Sequence, residues 1–139
     1  MTKALRQWKW GILPTYNGFT HDERVIGWQA MWWMIDKGQL MRPTTCSISG
    51  LAARIQMHSE NYYDADPLGI NQSIHMALHQ RFKRPDAWLR IVNRFSVTGD
   101  EWFATLSLEQ VDIAADLRSR HGDGITNLLG RLRADSAKI

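Results

Sequence analysis

The longest apolar block of the chain runs from Val25 to Ile35, VIGWQAMWWMI, and stops at Asp36. Just ahead of it, Thr20 stands where a helix N-cap belongs and Glu23 follows three positions later. That is the spacing of a capping box, in which each side chain takes the other residue's backbone N–H. The pattern predicts a buried helix that begins after Thr20 and stops at Gly38, with Val25, Trp28, Trp32 and Ile35 on its inward stripe. The preceding stretch LRQWKWGILPTYNGF contains Gly11, Pro14 and Gly18. It reads as an irregular arm pinned by Trp8, Trp10 and Phe19.

Beyond the helix, RPTTCSISGLAARIQMH alternates weakly and predicts a hairpin of two short strands about a Ser49–Gly50 turn. After the turn-like YYDADPLG, good helix formers (Met76, Ala77, Leu78, Gln80) predict a helix from about Asn71 to Phe82. Pro85 ends it and serves as the first residue of the next helix, whose stripe is Trp88, Ile91, Val92 and Phe95. Ser107 with Gln110 offers a second capping box before Val111, Ala114, Ala115 and Leu117. Asp123 can cap a last helix through Ile125, Leu128, Leu129 and Leu132, with RHGDG as the break before it and ADSAKI as a frayed end. The fold class expected from these elements is α+β, mostly helical.

Length and composition narrow the picture. At 139 residues and 44% hydrophobic, the chain is of a size to bury one compact core, so one domain is expected. The single cysteine, Cys46, excludes an intramolecular disulfide and a four-thiolate zinc knuckle, and it suits a reducing, cytoplasmic setting. No signal peptide or membrane-spanning stretch is expected, since the Val25–Ile35 block is too short to cross a bilayer. The net charge of +3 is compatible with a polyanionic partner without requiring one.

The histidines carry the chemistry. Of the five in the chain, three lie in HSENYYDADPLGINQSIHMALH, residues 58 to 79. Side chains four apart on a helix share a face, so His75 and His79 can aim at one ion. A zinc-protease helix uses the same spacing but needs Glu directly after its first His; here that residue is Met76, which removes the protease reading. His121, beside Gly122, reads as a cation set against a helix C-terminus.

Strand, turn, strand, loop and helix, with histidines at both edges, make residues 43–84 resemble the ββα-metal fold of HNH endonucleases. CSIS resembles a Cys-x-x-Cys knuckle, and NQSIHMALHQRF resembles the family's Cys-x-x-Cys-His-x-x-x-His helix start. The resemblance implies residues 1–42 as an arm and helix, an HNH-like core, and C-terminal helices over residues 85–139. It places Cys46, Ser49, Asn71 and Ile74 where zinc-containing members keep four cysteines. One thiolate cannot hold a structural zinc, so apolar packing, for instance from the Trp-rich helix, would replace it.

The same resemblance implies one catalytic divalent cation (Mg, Mn, Ni or Zn) held by His75, His79 and a carboxylate, Asp66 or Asp64. His58 would be the general base, and Asn61 or Asp66 falls near the family's central Asn. Two alignments remain open. In one, His58 is the base and Met57 the neighbouring ligand position; in the other, His58 is a ligand and Ser59 occupies the base position. The implied partner is DNA, its phosphates held by Arg54, Arg81, Lys83 and Arg84, with Arg42, Arg90 and Arg94 nearby. Three readings are to be weighed: a metal-dependent DNA endonuclease with an altered site, a catalytically silent protein of the same fold that binds nucleic acid or a protein, and an unrelated helical protein whose histidines coincide.

Overall fold

The computed structural model describes residues 5–62, 64 and 66–121. Within them run α1 (His21–Asp36), β1 (Ile55–His58), β2 (Leu68–Asn71), α2 (Gln72–Gln80), α3 (Pro85–Phe95) and α4 (Ile113–His121), an α+β arrangement. No helix among the described residues is long and apolar enough to cross a membrane. The helix expected after Asp123 and the His121 side chain lie outside the described residues. Backbone contacts group the chain into two units. Residues 59–66, although they connect the two strands, group with the arm, α1 and α4, while Pro43–His58 and Pro67–Gln110 form the other unit.

In the first unit, α1 starts as its sequence dictates. The Thr20 side chain accepts from Glu23 N, and the Glu23 side chain accepts from Thr20 N. The helix ends at Lys37, followed by Gly38 at φ +76°. Its buried face differs from the expected stripe. Ile26, Ala30 and Trp33 enter the core with Leu5, Phe19, Ala114 and Leu117, while Val25, Trp28, Trp32 and Ile35 are half-buried. A helix that is apolar nearly all round does not announce which side faces inward. Here the outer indoles are covered by other means. Trp28 packs edge-on against Trp8 and Trp10 at 5.2 and 5.8 Å between ring centres, and the Arg6 guanidinium lies 3.9 Å over Trp32.

The arm is also more ordered than its breakers suggested. Tyr16 and Phe19 exchange backbone hydrogen bonds of 3.1 and 2.9 Å around Asn17 and Gly18, both at positive φ. Asn-Gly with two positive φ values is the tightest hairpin turn available to a chain. The Asn17 amide then donates to the Glu60 carbonyl and carboxylate, and Tyr16 donates to the same carboxylate. α4 begins later than the expected Ser107 cap, because the carboxylate of Asp112 accepts from Ala115 N at 3.0 Å. The Ser107 hydroxyl instead accepts from Glu109 N in a separate turn.

In the second unit, β1 pairs antiparallel with β2, in register Ile55↔Asn71 through His58↔Leu68. The expected hairpin about Ser49–Gly50 is therefore corrected. Residues 46–51 close a turn on themselves, with Gly50 N donating to Cys46 O and Cys46 N to Leu51 O, both 2.8 Å. Ser47 hangs this turn on β2 through its amide and hydroxyl, both donating to Gly69 O. Alternation over so few residues is too short a signal to choose a strand's partner.

Asn71, the last residue of β2, caps α2 by accepting from Ser73 N at 3.0 Å, so the helix follows the strand without a loop. Pro85 opens α3 as expected. Ile70, Leu78, Trp88 and Phe103 are the buried apolar side chains of this unit, with Cys46 and Ile48 under the turn. Burial pushes the Cys46 thiol up, but hydrogen bonds from the Ser49 side chain and from the amides of Asn71, Ser49 and Ile48 outweigh it and leave the thiol below its ordinary value.

Gly69 is where the unit tolerates no side chain. A Cβ there would lie 2.3 Å from the Thr45 carbonyl oxygen and 2.8 Å from Pro43. Gly69→Ala is expected to cost about 1–3 kcal/mol through forced displacement of the 43–50 turn, read as a Tm several degrees below wild type. An unchanged Tm would contradict this packing.

Candidate metal centre

His58 ends β1, and Gln56 lies two residues before it, so both point to the same face of the strand. His75 and His79 sit one turn apart on α2, which packs against that strand. The three imidazoles meet there. His58 Nδ1 lies 3.1 Å from His75 Nε2, and His79 Nε2 lies 3.1 Å from the same atom. The ring centres are 4.7 to 5.1 Å apart. His58 is only 2% exposed, whereas His75 and His79 are half-buried and open on a hollow of 290 Å³ lined also by Gln56, Met76 and Gln80.

Two neighbours fix the rings. His75 Nδ1–H donates to Gln56 Oε1 at 2.8 Å, which places the proton of the neutral ring on that nitrogen and turns the Nε2 lone pair toward the other two histidines. Trp102 stacks on His58 at 6.0 Å with its plane only 23° away. Trp102 is held in place by the loop before it. Thr98 donates its hydroxyl to the Glu101 carboxylate, which also accepts from the amides of Val97, Thr98 and Gly99. The Thr98 and Ser96 side chains, with those amides, keep the Glu101 carboxyl far below the usual carboxylate range.

The donor set suits a cation. One lone pair on His75 Nε2 faces two ring nitrogens at 3.1 Å and cannot accept well from both at once. An ion between the three rings uses every lone pair. Nitrogens about 2.0–2.1 Å from a tetrahedral ion lie about 3.3 Å from each other, close to the spacing found. The ligating atoms of His58, His75 and His79 all lie within 4.8 Å of one another, and the trio can hold a metal ion. Gln56 is then the outer partner that fixes the tautomer of a ligating histidine.

Among the described residues no carboxylate joins the three imidazoles. Asp66 is exposed, and Asn61 donates to Asp64 at 3.2 Å; all three belong to the 59–66 stretch of the first unit. Ser59 is buried, and its hydroxyl donates to Met31 Sδ at 3.6 Å.

Arg81, expected on a phosphate, is 1% exposed. Its Nε donates to Ser107 O at 2.7 Å and its Nη1 to Leu78 O at 3.0 Å, so its charge ties the end of α2 to the 103–107 segment. Arg54, Lys83 and Arg84 are exposed. Gln56 and Trp102 were not foreseen. Gln56 was accessible from strand alternation with His58, whereas nothing in the sequence around Trp102 connects it to a histidine so far along the chain. No protein-family model, no curated protein and no solved structure matches the chain.

Gln56→Ala is expected to weaken divalent-metal binding about 10–100-fold in calorimetric titration; wild-type affinity would remove Gln56 from the site. Glu101, whose carboxyl is depressed on folding, stabilises the loop above its unfolded pKa of about 4.3. As pH falls below that value the contribution fades, and the protection of the Thr98 and Gly99 amides, their exchange taken relative to the intrinsic rate at each pH, should fall in the wild type. In Glu101→Gln that pH dependence should be absent, and a persisting one would contradict the assignment.

Proposed function

We propose that this chain is a metal-dependent phosphodiester hydrolase of the HNH kind, acting on DNA. The observation that carries the reading is the meeting of a strand-end histidine with two histidines one turn apart on the following helix. The order β1, β2, α2 with histidines at both edges supports it as well. A divalent cation bound there would supply Lewis-acid polarisation of the scissile phosphate and charge for the leaving oxygen.

The chain's own residues have separate tasks. Gln56 and Trp102 orient the rings of His75 and His58. Because His58 directs Nδ1 at His75 Nε2, it is assigned as a ligand, not as a base, and Ser59 falls at the position of the base. A serine hydroxyl does not accept a proton at neutral pH, so water must lose its proton without an imidazole base and a slow reaction is expected. Arg54, Lys83 and Arg84 are the exposed cations for the phosphate backbone.

A second reading has its own observation. The Ser59 hydroxyl is buried against Met31, which favours a nucleic-acid-binding protein of the same fold without hydrolysis. Plasmid nicking with Mg, Mn, Ni or Zn separates the two. The endonuclease reading expects nicking with at least one metal, reduced by a factor of about 100 or more in His75→Ala and His79→Ala. Salt-sensitive DNA binding without nicking supports the second reading, and absence of both contradicts the pair.

A further inference from the structure

α2 has two useful sides. His75, Met76 and His79 face the hollow of the metal centre, whereas Ile74 faces a second, larger groove of 410 Å³ between α2, the 46–51 turn and α3. The floor of that groove is aliphatic and aromatic: Leu51, Ile74, Ile91 and Phe95. Leu51 is 61% exposed, so its side chain is open to a ligand in the groove. The rim is formed by Arg90 and Arg94, both exposed and neither paired with a carboxylate among the described residues. The two arginines are one helical turn apart, about 6 Å along the axis. Of the four acidic residues in this unit, none lines the groove.

We infer that this groove binds single-stranded DNA, with an unpaired base on the Leu51–Ile74–Phe95 floor and the flanking phosphates on Arg90 and Arg94. Charge complementarity selects a polyanion, and the apolar floor selects among polyanions. A duplex keeps its bases stacked inside and offers the floor only sugar and phosphate, while an unpaired base has an apolar face to bury. The volume lies at the lower end of small-ligand sites, of the order of a single nucleotide. A strand seated there lies about one helix diameter, 10–12 Å, from the imidazoles. The groove would thus hold nucleotides flanking the bond presented to the metal centre. Its substrate class rests on the phosphodiester reading of that centre; its binding does not require the metal.

The test is fluorescence polarisation of the full chain in EDTA with a labelled oligothymidylate of about twelve nucleotides, and with the corresponding duplex, over a salt series. Wild type should bind the single strand more tightly than the duplex. Arg90→Ala/Arg94→Ala should bind at least about tenfold more weakly, with a salt slope shallower by about 1.4, since each phosphate contact on a single strand contributes about 0.7. Leu51→Ser, a neutral change at an exposed position, should weaken binding with the salt slope of the arginines retained.

Equal affinity in the arginine variant, preference for the duplex, or no oligonucleotide binding by the folded protein would overturn the groove. Zinc titration in the same preparations keeps the two ideas apart. Intact zinc binding without oligonucleotide binding leaves the metal centre standing, and the reverse leaves the groove standing.

Discussion

The second unit is organised around three imidazole nitrogens separated by two steps of 3.1 Å. Rings come that close only if strand and helix meet in fixed register, and the chain has little freedom to do otherwise. β2 runs directly into α2, because Asn71 is both the last strand residue and the helix cap. The position of His75 and His79 on the helix is thereby set by the pairing of Asn71 with Ile55. The same pairing sets His58 at the far end of β1. A one-residue slip in the ladder would turn His58 and Gln56 to the opposite face of the sheet. The bare backbone of Gly69, which admits the Thr45 carbonyl, and the two hydrogen bonds from Ser47 to Gly69 O hold the register.

Packing on the other sides of α2 keeps it there. Leu78 and Ile70 are fully buried and Trp88 is 1% exposed, each contributing about 1.5–3 kcal/mol by removal from water. Arg81 is buried beside them, and its hydrogen bonds to two backbone carbonyls offset the cost of taking a guanidinium out of water. Cys46, Ser49, Asn71 and Ile74 each have a structural task that needs no metal. Cys46 accepts from Ser49 N, Asn71 caps α2 and donates to Ala53 O, and Ile74 floors the arginine-rimmed groove. Hydrogen bonds and apolar contact thus organise the turn and the helix start, and the unit's only thiol is one of the hydrogen-bond acceptors.

Much of this was legible where local physics acts alone. The Thr20–Glu23 box, the stop at Gly38, Pro85 at the head of α3 and the one-turn spacing of His75 and His79 all depend on neighbours in sequence. The losses came where distant partners decide. The inward face of α1 was hidden by apolar residues on every side. Pro67 and Gly69 read as breakers in a turn-like stretch, although Gly69 lies within β2 and admits the approach of Thr45. Arg81 looked like one more member of a basic run, and its burial follows from a carbonyl at Ser107 that no spacing rule could supply. Asn17–Gly18 is a short-range turn signal, but Gly18 read together with Gly11 and Pro14 suggests only an irregular arm.

The central claim is that His58, His75 and His79 bind one divalent ion through their inward nitrogens. Anomalous diffraction at the zinc or nickel edge from crystals grown with that ion tests it most directly. The account predicts one peak about 2.0–2.2 Å from a nitrogen of each of the three rings, with Gln56 still accepting from His75 Nδ1–H. A map without a peak there at saturating metal, or an ion held by fewer than three of these histidines, would contradict it.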